Sequence, residues 1–500
     1  MNPVKLSGRL EKIADDIFKT EGVPVDYLHV AAALEVMGYT DNVIRDSFGY
    51  SDSFTLSKKL MHRIGSKGAV RYAGGDRRKK EGRDWRLLLS CLVRGGLLLF
   101  PVMLSLLFFV FGSGSIWGQT RADATNVNSL ALALVLSMII TGGYARSLSH
   151  RLSEAKSNRV HGDLIKLPAI YISLAAFSVA IASFAVLAPL GSGFNEPLLV
   201  GNAIFLSFIW MSIAIFFAVG RDWMFAPLYS LGVAMAIMAK LILGLNFIET
   251  EVLGTILVAT ILLAAGVRML SRTTVAAGKT DIRSSFSLLL GKLFSGQFFF
   301  GMLYFSLLFA DRVVNWTSQG VFAFHPSYEV SLDLAIFSLL FGTGILEYRM
   351  TLFWRKIINC RRSHQVPVSS VLKRFFLKSI LAYAAAAAAG IGISVALTYV
   401  INSGQNRGVV LAAAPAYALV AWGAFVCNIF IGFKRSIAVT AMVAAALVVD
   451  LLVGIWFLSH GDANMTAAGL LAGGAVFFIG GCVFMVHIIR NFSYLHYASI

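Results

Sequence analysis

The sequence predicts an all-α polytopic membrane protein: about twelve transmembrane helices in two six-helix bundles, preceded by a small cytoplasmic helical domain. Three observations lead there. Of 500 residues, 57% are hydrophobic and 14% charged, against roughly 25% charged in soluble domains. Apolar runs of about 20 residues recur along the chain, each long enough to cross a bilayer. Lys and Arg then gather on alternate sides of those runs, as cytoplasmic loops of membrane proteins do.

The first 85 residues form their own unit. SGRLEKIADDIF, VDYLHVAAALEVMGY, TDNVIRDSFGY and SDSFTLSKKLMHRI each place apolar residues at helical spacing. Thr40 and either Ser51 or Ser53 are N-cap candidates, and Gly22, Gly38 and Gly49 are stop candidates. Residues 1–85 therefore read as a cytoplasmic helical bundle followed by the basic linker GGDRRKKEGRDWR. That linker suits anionic lipid, and no nucleic-acid partner is expected. No short apolar core stands near residue 10, so no cleavable signal peptide is expected. Two roles fit the bundle: docking a cytoplasmic partner, or capping the membrane domain.

The apolar runs fall at 92–112, 128–146, 167–189, 197–219, 224–244, 252–270, 288–310, 331–348, 376–401, 410–432, 436–458 and 466–489. With a cytoplasmic N-terminus, inner segments hold 22 of the 26 Lys and Arg that follow Arg94. The C-terminus then also lies in the cytoplasm. Long basic loops follow spans 2 and 8, and very short ones, GRDW and GFKRS, follow spans 4 and 10. This shared rhythm divides the membrane part into 86–270 and 271–500, a parallel repeat of the kind transporters use, with a site between halves. The inner-face residues Arg355, Lys356, Arg361 and Arg362 are explained by orientation alone, and lipid phosphate is their other candidate partner.

Charged side chains inside a span cost at least ~2.5–3.5 kcal/mol, so they mark partners or wet cavities. Gln297, Tyr304 and Asp311 repeat every seven residues on one face of span 7, and Gly301 on the same stripe permits close approach. Arg312 pairs elsewhere or snorkels beside Trp316, so an interfacial anchor is the alternative reading of Asp311 and Arg312. Tyr229 and Lys240 share a face of span 5. Asp333 and Glu347 mark the ends of span 8, and Glu347 is expected to pair with Arg349. Asp450 lies alone and deep in span 11, with Lys240 as its candidate partner.

Enzyme chemistry is not expected. The nine histidines show no metal-ligand spacing, His487 reads as an interface residue, and no GxSxG, Walker A or dinucleotide motif is present. The four cysteines, Cys91, Cys360, Cys427 and Cys482, fit no metal spacing and are expected reduced. No cofactor or metal is expected.

GQFFFGMLYFSLLFADRVVNWTS, followed by FHPSYEVSLDLAIFSLL and LEYRMTLFWRK, resembles the second half of the Pel exopolysaccharide transporter family. That family is a branch of the multidrug/oligosaccharidyl-lipid/polysaccharide (MOP) flippase superfamily. Asp311, Arg312, Trp316, Pro326, Tyr328 and Asp333 occupy its acid–base, aromatic and SP-Y positions. GYARSLSHRLSEAKSNRV resembles another family segment, with Ala145-Arg146 where Thr-Arg is usual. The resemblance spans roughly residues 90–490, leaves the N-terminal bundle outside, and meets Val313-Val314-Asn315 where more aromatic character is usual.

The resemblance implies two six-helix bundles facing a central cavity that opens alternately to each side. It also implies export of a polysaccharide or lipid-linked oligosaccharide across a bacterial cytoplasmic membrane, beside a cytoplasmic glycosyltransferase and other synthase subunits. On this reading Gln297, Tyr304 and Asp311 face hydrated substrate, and Asp311 and Asp450 accept the coupling proton or cation. Two rivals stand: a small-molecule or cation antiporter on the same architecture, and a non-transporting scaffold of a synthase complex.

Overall fold

The computed structural model describes residues 10–17, 27–61, 85, 87–92, 95, 124–157, 166–190, 193–274, 295–318, 322–363, 368–400 and 407–497. These residues belong to two compact units, Met1–Leu87 with Arg349–Lys378, and Leu88–Tyr348 with Ser379–Ile500. The basic linker and almost all of the expected first span lie outside the described residues, as does Gly22.

The first unit contains four short helices: α1 (10–17), α2 (Tyr27–Val36), α3 (Asp41–Phe48) and α4 (53–61). Their apolar faces meet in one core, where Ile13 and Ile17 touch a cluster with Val30, Leu34, Ile44, Phe48, Leu56 and Leu60. Gly38 and Gly49 sit at φ 85° and 72°, so both expected stops use the left-handed backbone that glycine adopts without strain. The caps differ from expectation. Thr40 holds the N-cap position of α3, but its side chain makes no capping bond. Asp52, rather than Ser51 or Ser53, caps α4: its Oδ1 accepts the Thr55 backbone N–H at 2.7 Å and the Thr55 hydroxyl at 2.9 Å. A carboxylate does this better than a hydroxyl because it carries charge at the positive end of the helix. Elsewhere in this unit, the Phe353 ring packs on Phe375 and Phe376.

The remaining described helices are α5 (Ala124–Ser157), α6 (Lys166–Leu190), α7 (Glu196–Val219), α8 (Phe225–Leu243), α9 (Phe247–Thr274), α10 (Gly296–Trp316), α11 (Pro326–Ala335), α12 (Phe337–Ser363), α13 (Val368–Val400), α14 (Arg407–Gly432), α15 (Ser436–Ser459) and α16 (Ala467–Tyr497). Among the described residues, eleven helical segments are long and apolar enough to cross a membrane, and no strand occurs. The chain is therefore an all-α, multi-pass membrane protein.

Two boundaries matter for function. The seventh span is set six residues later than the apolar run suggested, ending at Trp316 rather than residue 310, because its charged residues are buried. The eighth begins at Pro326 and breaks at Ile336, between α11 and α12. Pro326 suits a first helical position, where its missing N–H removes no bond.

Helix neighbours recur with a six-span offset. α5 packs on α7, α7 on α9, and α8 on α9. Six spans later α11 packs on α14, α14 on α16, and α15 on α16. Helices α5 and α10 also lie directly against each other. Glycine allows that approach: a Cβ on Gly301 would stand 2.4 Å from the Gly142 carbonyl oxygen. Neither backbone can retreat without moving a whole helix.

Two outcomes follow from these contacts. Gly301→Ala should lower thermal stability in detergent by about 1–3 kcal/mol, the usual cost of overpacking, whereas Gly201→Ala, which meets nothing within 4 Å, should leave the melting curve in place. In the first unit, the Ser51 hydroxyl and the Thr55 N–H hold the Asp52 carboxyl below its ordinary range. Its contribution is thus present above an unfolded value of about 3.9 and lost as pH falls through the lowered one. Amide exchange across 53–61 should rise in Asp52→Ala at neutral pH, and in the parent protein only on strong acidification.

Candidate functional site

The charged pair that interrupts span 7 is fully inside the protein. Asp311 and Glu329 are each 0% exposed and Arg312 5%. After Trp316 the chain returns at Pro326, which starts α11 beside the end of α10. Glu329 and Asp333 are four residues apart, hence on one face of α11. Two acids at that spacing repel each other, and here a guanidinium stands between them. Arg312 Nη1 donates to Glu329 Oε2, and Nη2 donates to Asp333 Oδ1 at 3.1 Å. Trp316, one turn beyond Arg312, donates its Nε1–H to the other Glu329 oxygen at 2.9 Å. The Arg312 guanidinium also lies 5.3 Å from the centre of the Phe309 ring. Arg312 is therefore paired inside the protein and does not snorkel.

The next face of α10 carries Asp311 and Asn315, again one turn apart. Asp311 Oδ2 accepts the Tyr328 hydroxyl at 3.1 Å, and the Thr466 hydroxyl lies 3.0 Å from Tyr328. Asn315 donates to the Ala463 carbonyl at 2.7 Å. Ala463 and Thr466 belong to the turn that leads into α16, so these bonds stitch α10, α11 and α16 together. Tyr417 of α14 lies within electrostatic reach of Arg312, Asp311 and Asp333.

Asp450 completes the cluster from α15. It is 1% exposed, and neither of its carboxylate oxygens has a hydrogen-bond partner among the described residues. It interacts electrostatically with another acid, Asp311. Gly469 and Gly473 of α16 make room for it: a Cβ on Gly469 would stand 2.7 Å from Asp450 Oδ1. Three buried carboxylates, Asp311, Glu329 and Asp333, thus gather around one buried arginine, and Asp450 joins them through Asp311. Among the described residues no three His, Cys, Asp or Glu side chains form a metal-binding group.

The other expected site residues are elsewhere. Gln297 is buried at the far end of α10, fourteen residues and about 21 Å from Asp311. Tyr304 stacks on Phe300, with centroids 6.0 Å apart, and stands near Arg146 of α5. Arg146 was read only as part of a family segment, yet it makes a second polar locus: its Nη2 donates to Asn428 Oδ1, its guanidinium lies 5.5 Å from the Phe300 ring centre, and Glu347 is within electrostatic reach. The single stripe expected along span 7 is therefore two loci at two depths. Lys240 is exposed in the last turn of α8, a helix that packs on α9, so it is no partner for Asp450. Tyr229 is half-buried, packs on Phe225 and faces Glu251 of α9, away from the cluster.

Glu329 is the principal omission. The apolar run placed it in an outer loop, because hydropathy rises only after Ser331. The Glu329/Asp333 spacing beyond a helix-starting proline was the available signal. No protein-family model matches this chain, and no curated protein matches it either.

Removing the cation tests the electrostatic account. Arg312→Met should destabilise the protein by about 3–5 kcal/mol, since two buried carboxylates lose their partner. The triple change Arg312→Met with Glu329→Gln and Asp333→Asn should recover much of that loss in a detergent thermal-shift measurement.

Proposed function

We propose that this chain is a cation-coupled transporter of the bacterial cytoplasmic membrane, exporting a polysaccharide or lipid-linked oligosaccharide by alternating access. One observation carries the reading: Asp450, buried in a membrane-spanning helix without a hydrogen-bond partner among the described residues and in electrostatic contact with Asp311. An uncompensated charge there costs at least ~2.5–3.5 kcal/mol. A proton or a monovalent cation on the Asp311–Asp450 pair removes that cost, and the conformation that best buries the pair is then favoured. A carboxylate serving only stability would have a partner, as Glu329 and Asp333 do.

The six-span offset in helix neighbours supports two equivalent six-helix bundles, with the helices of the α5–α10 seam belonging to different bundles. The charge distribution supports cytoplasmic N- and C-termini. Resemblance to the Pel exopolysaccharide branch supports the sugar polymer as cargo, with a cytoplasmic glycosyltransferase as partner, and leaves the helical unit at 10–61 as the surface for such a subunit. The sequence carries no ATP-binding motif, which is consistent with drive from an ion gradient or from polymerisation itself.

The decisive comparison is export of polymer from cells carrying Asp450→Asn or Asp311→Asn, with the amount of protein in the membrane measured alongside. Export should fall at least about tenfold at normal abundance, the effect of about 1.4 kcal/mol on a coupling equilibrium. Export at the parental level in both variants would make the cluster structural and leave the scaffold reading standing. Loss of lipophilic-cation resistance with export intact would identify an antiporter instead.

A further inference from the structure

Beside the acidic cluster a short described segment, residues 322–324, leads into α11 and is bonded both to α5 and to Trp316 of α10. We propose that this segment is a latch, fastened to one helical bundle by Asn128 and to the acidic cluster by Trp316, and that it opens before the opposite end does. The inference rests on the transporter reading and names the part that moves first.

Asn128 lies one turn into α5. Its Nδ2 donates to the Phe322 carbonyl at 3.3 Å, and its Oδ1 accepts the Phe324 backbone N–H at 3.0 Å. One side-chain amide thus satisfies an acceptor and a donor of the same extended segment, as a neighbouring strand would. The Phe322 ring packs on Phe194, with centroids 5.3 Å apart, and joins the apolar cluster of Leu132, Ala133, Val179 and Leu199. These contacts hold the segment to helices α5, α6 and α7.

Trp316 holds it from the other side. Its carbonyl accepts the Ala323 N–H at 2.8 Å, and its ring meets Phe322 and Phe324 at 5.3 and 5.7 Å. The same indole donates to Glu329. A rearrangement of the cluster that shifts Trp316 along with Glu329 would also move the backbone anchor and the surface on which both rings of the latch rest. Cluster and closure are therefore linked through one side chain, with no longer pathway to invoke.

Magnitudes decide which end yields first. The fastening consists of two neutral hydrogen bonds to Asn128, each contributing little once exchanged for water, and one half-buried ring, Phe322, on Phe194 and its apolar cluster. At the Gly296 end, α5 and α10 touch backbone to backbone at Gly142 and Gly301, and the Arg146–Asn428 bond is charge-assisted. Parting that seam requires shifting two close-packed helices, whereas parting the latch requires moving a few loop residues.

The test uses the purified full-length chain in nanodiscs, read by hydrogen exchange of the peptide covering 322–325. Trp316→Phe keeps an aromatic ring and the backbone acceptor and removes the donor to Glu329 together with part of the indole's volume. Exchange should accelerate about tenfold in Trp316→Phe and in Asn128→Leu, the effect of one or two weak bonds, while peptides around Gly142 and Gly301 keep their protection. Unchanged exchange in Trp316→Phe would overturn the link to the cluster. A second arm uses Asn128→Cys with Ala323→Cys in a chain otherwise free of cysteine. Oxidation should cross-link the pair and arrest polymer export, and reductant should restore it. Failure to cross-link, or export that continues while cross-linked, would overturn the latch. The exchange arm needs no transport activity, so it can fail or succeed independently of the proposed function.

Discussion

The burial of Arg312 between Glu329 and Asp333 is the interaction on which this end of the molecule depends. A guanidinium inside a membrane protein is tolerable only when its donors are matched, and matching it requires two carboxylates at one-turn spacing. That requirement fixes where α10 ends, where α11 begins and how the two helices face. It also explains a hydropathy minimum in the middle of a packed structure. Hydrophobic replacement of such a triad is often neutral for stability, so its presence here is better understood as orientation. The ion pairs hold α11 so that Tyr328 reaches Asp311, and they hold Glu329 so that Trp316 can reach it.

Asp450 stands in a different relation to the fold. Two glycines of α16 let that helix pack directly against it, and no donor reaches its carboxylate among the described residues. The packing has thus been shaped around a carboxylate that it does not satisfy. Glu329 and Asp333 nearby show that the fold is able to supply buried carboxylates with a cationic partner. Glu329 is matched by Arg312 and Trp316 whereas Asp450 has no donor among the described residues, and on the transporter reading that contrast separates scaffolding from a site that changes occupancy.

Much of the architecture was legible in the sequence, because long apolar runs and basic loops report directly on the membrane. The site was legible only in part. Asp311, Arg312, Asp333 and Asp450 announce themselves as charges where apolar residues belong. Glu329 does not, since at the edge of an apolar run a buried acid and a loop acid look alike. Lys240 misled for the converse reason: a lysine near a helix end can snorkel, and nothing in its neighbours says which way it points. Spacing placed Gln297, Tyr304 and Asp311 on one stripe, but a stripe has length, and four turns separate its two ends. The bond from Arg146 to Asn428 joins residues 282 positions apart, and no local pattern could have paired them.

The same separation along α10 gives the molecule its asymmetry. One helix carries a charge-rich end, where polar contacts are many and several are weak, and a glycine-rich end, where contact is close and backbone-mediated. Weak polar contacts can be exchanged for water or for a bound ion at little net cost, whereas close packing is lost outright when helices part. On the proposed latch, the neutral bonds of Asn128 part before the close-packed Gly142–Gly301 seam, while the buried ion pairs of Arg312 stay together. On the transporter reading, that order is what directs cation binding at Asp311 and Asp450 toward opening at one face rather than both, and a central path open at both faces together would leak.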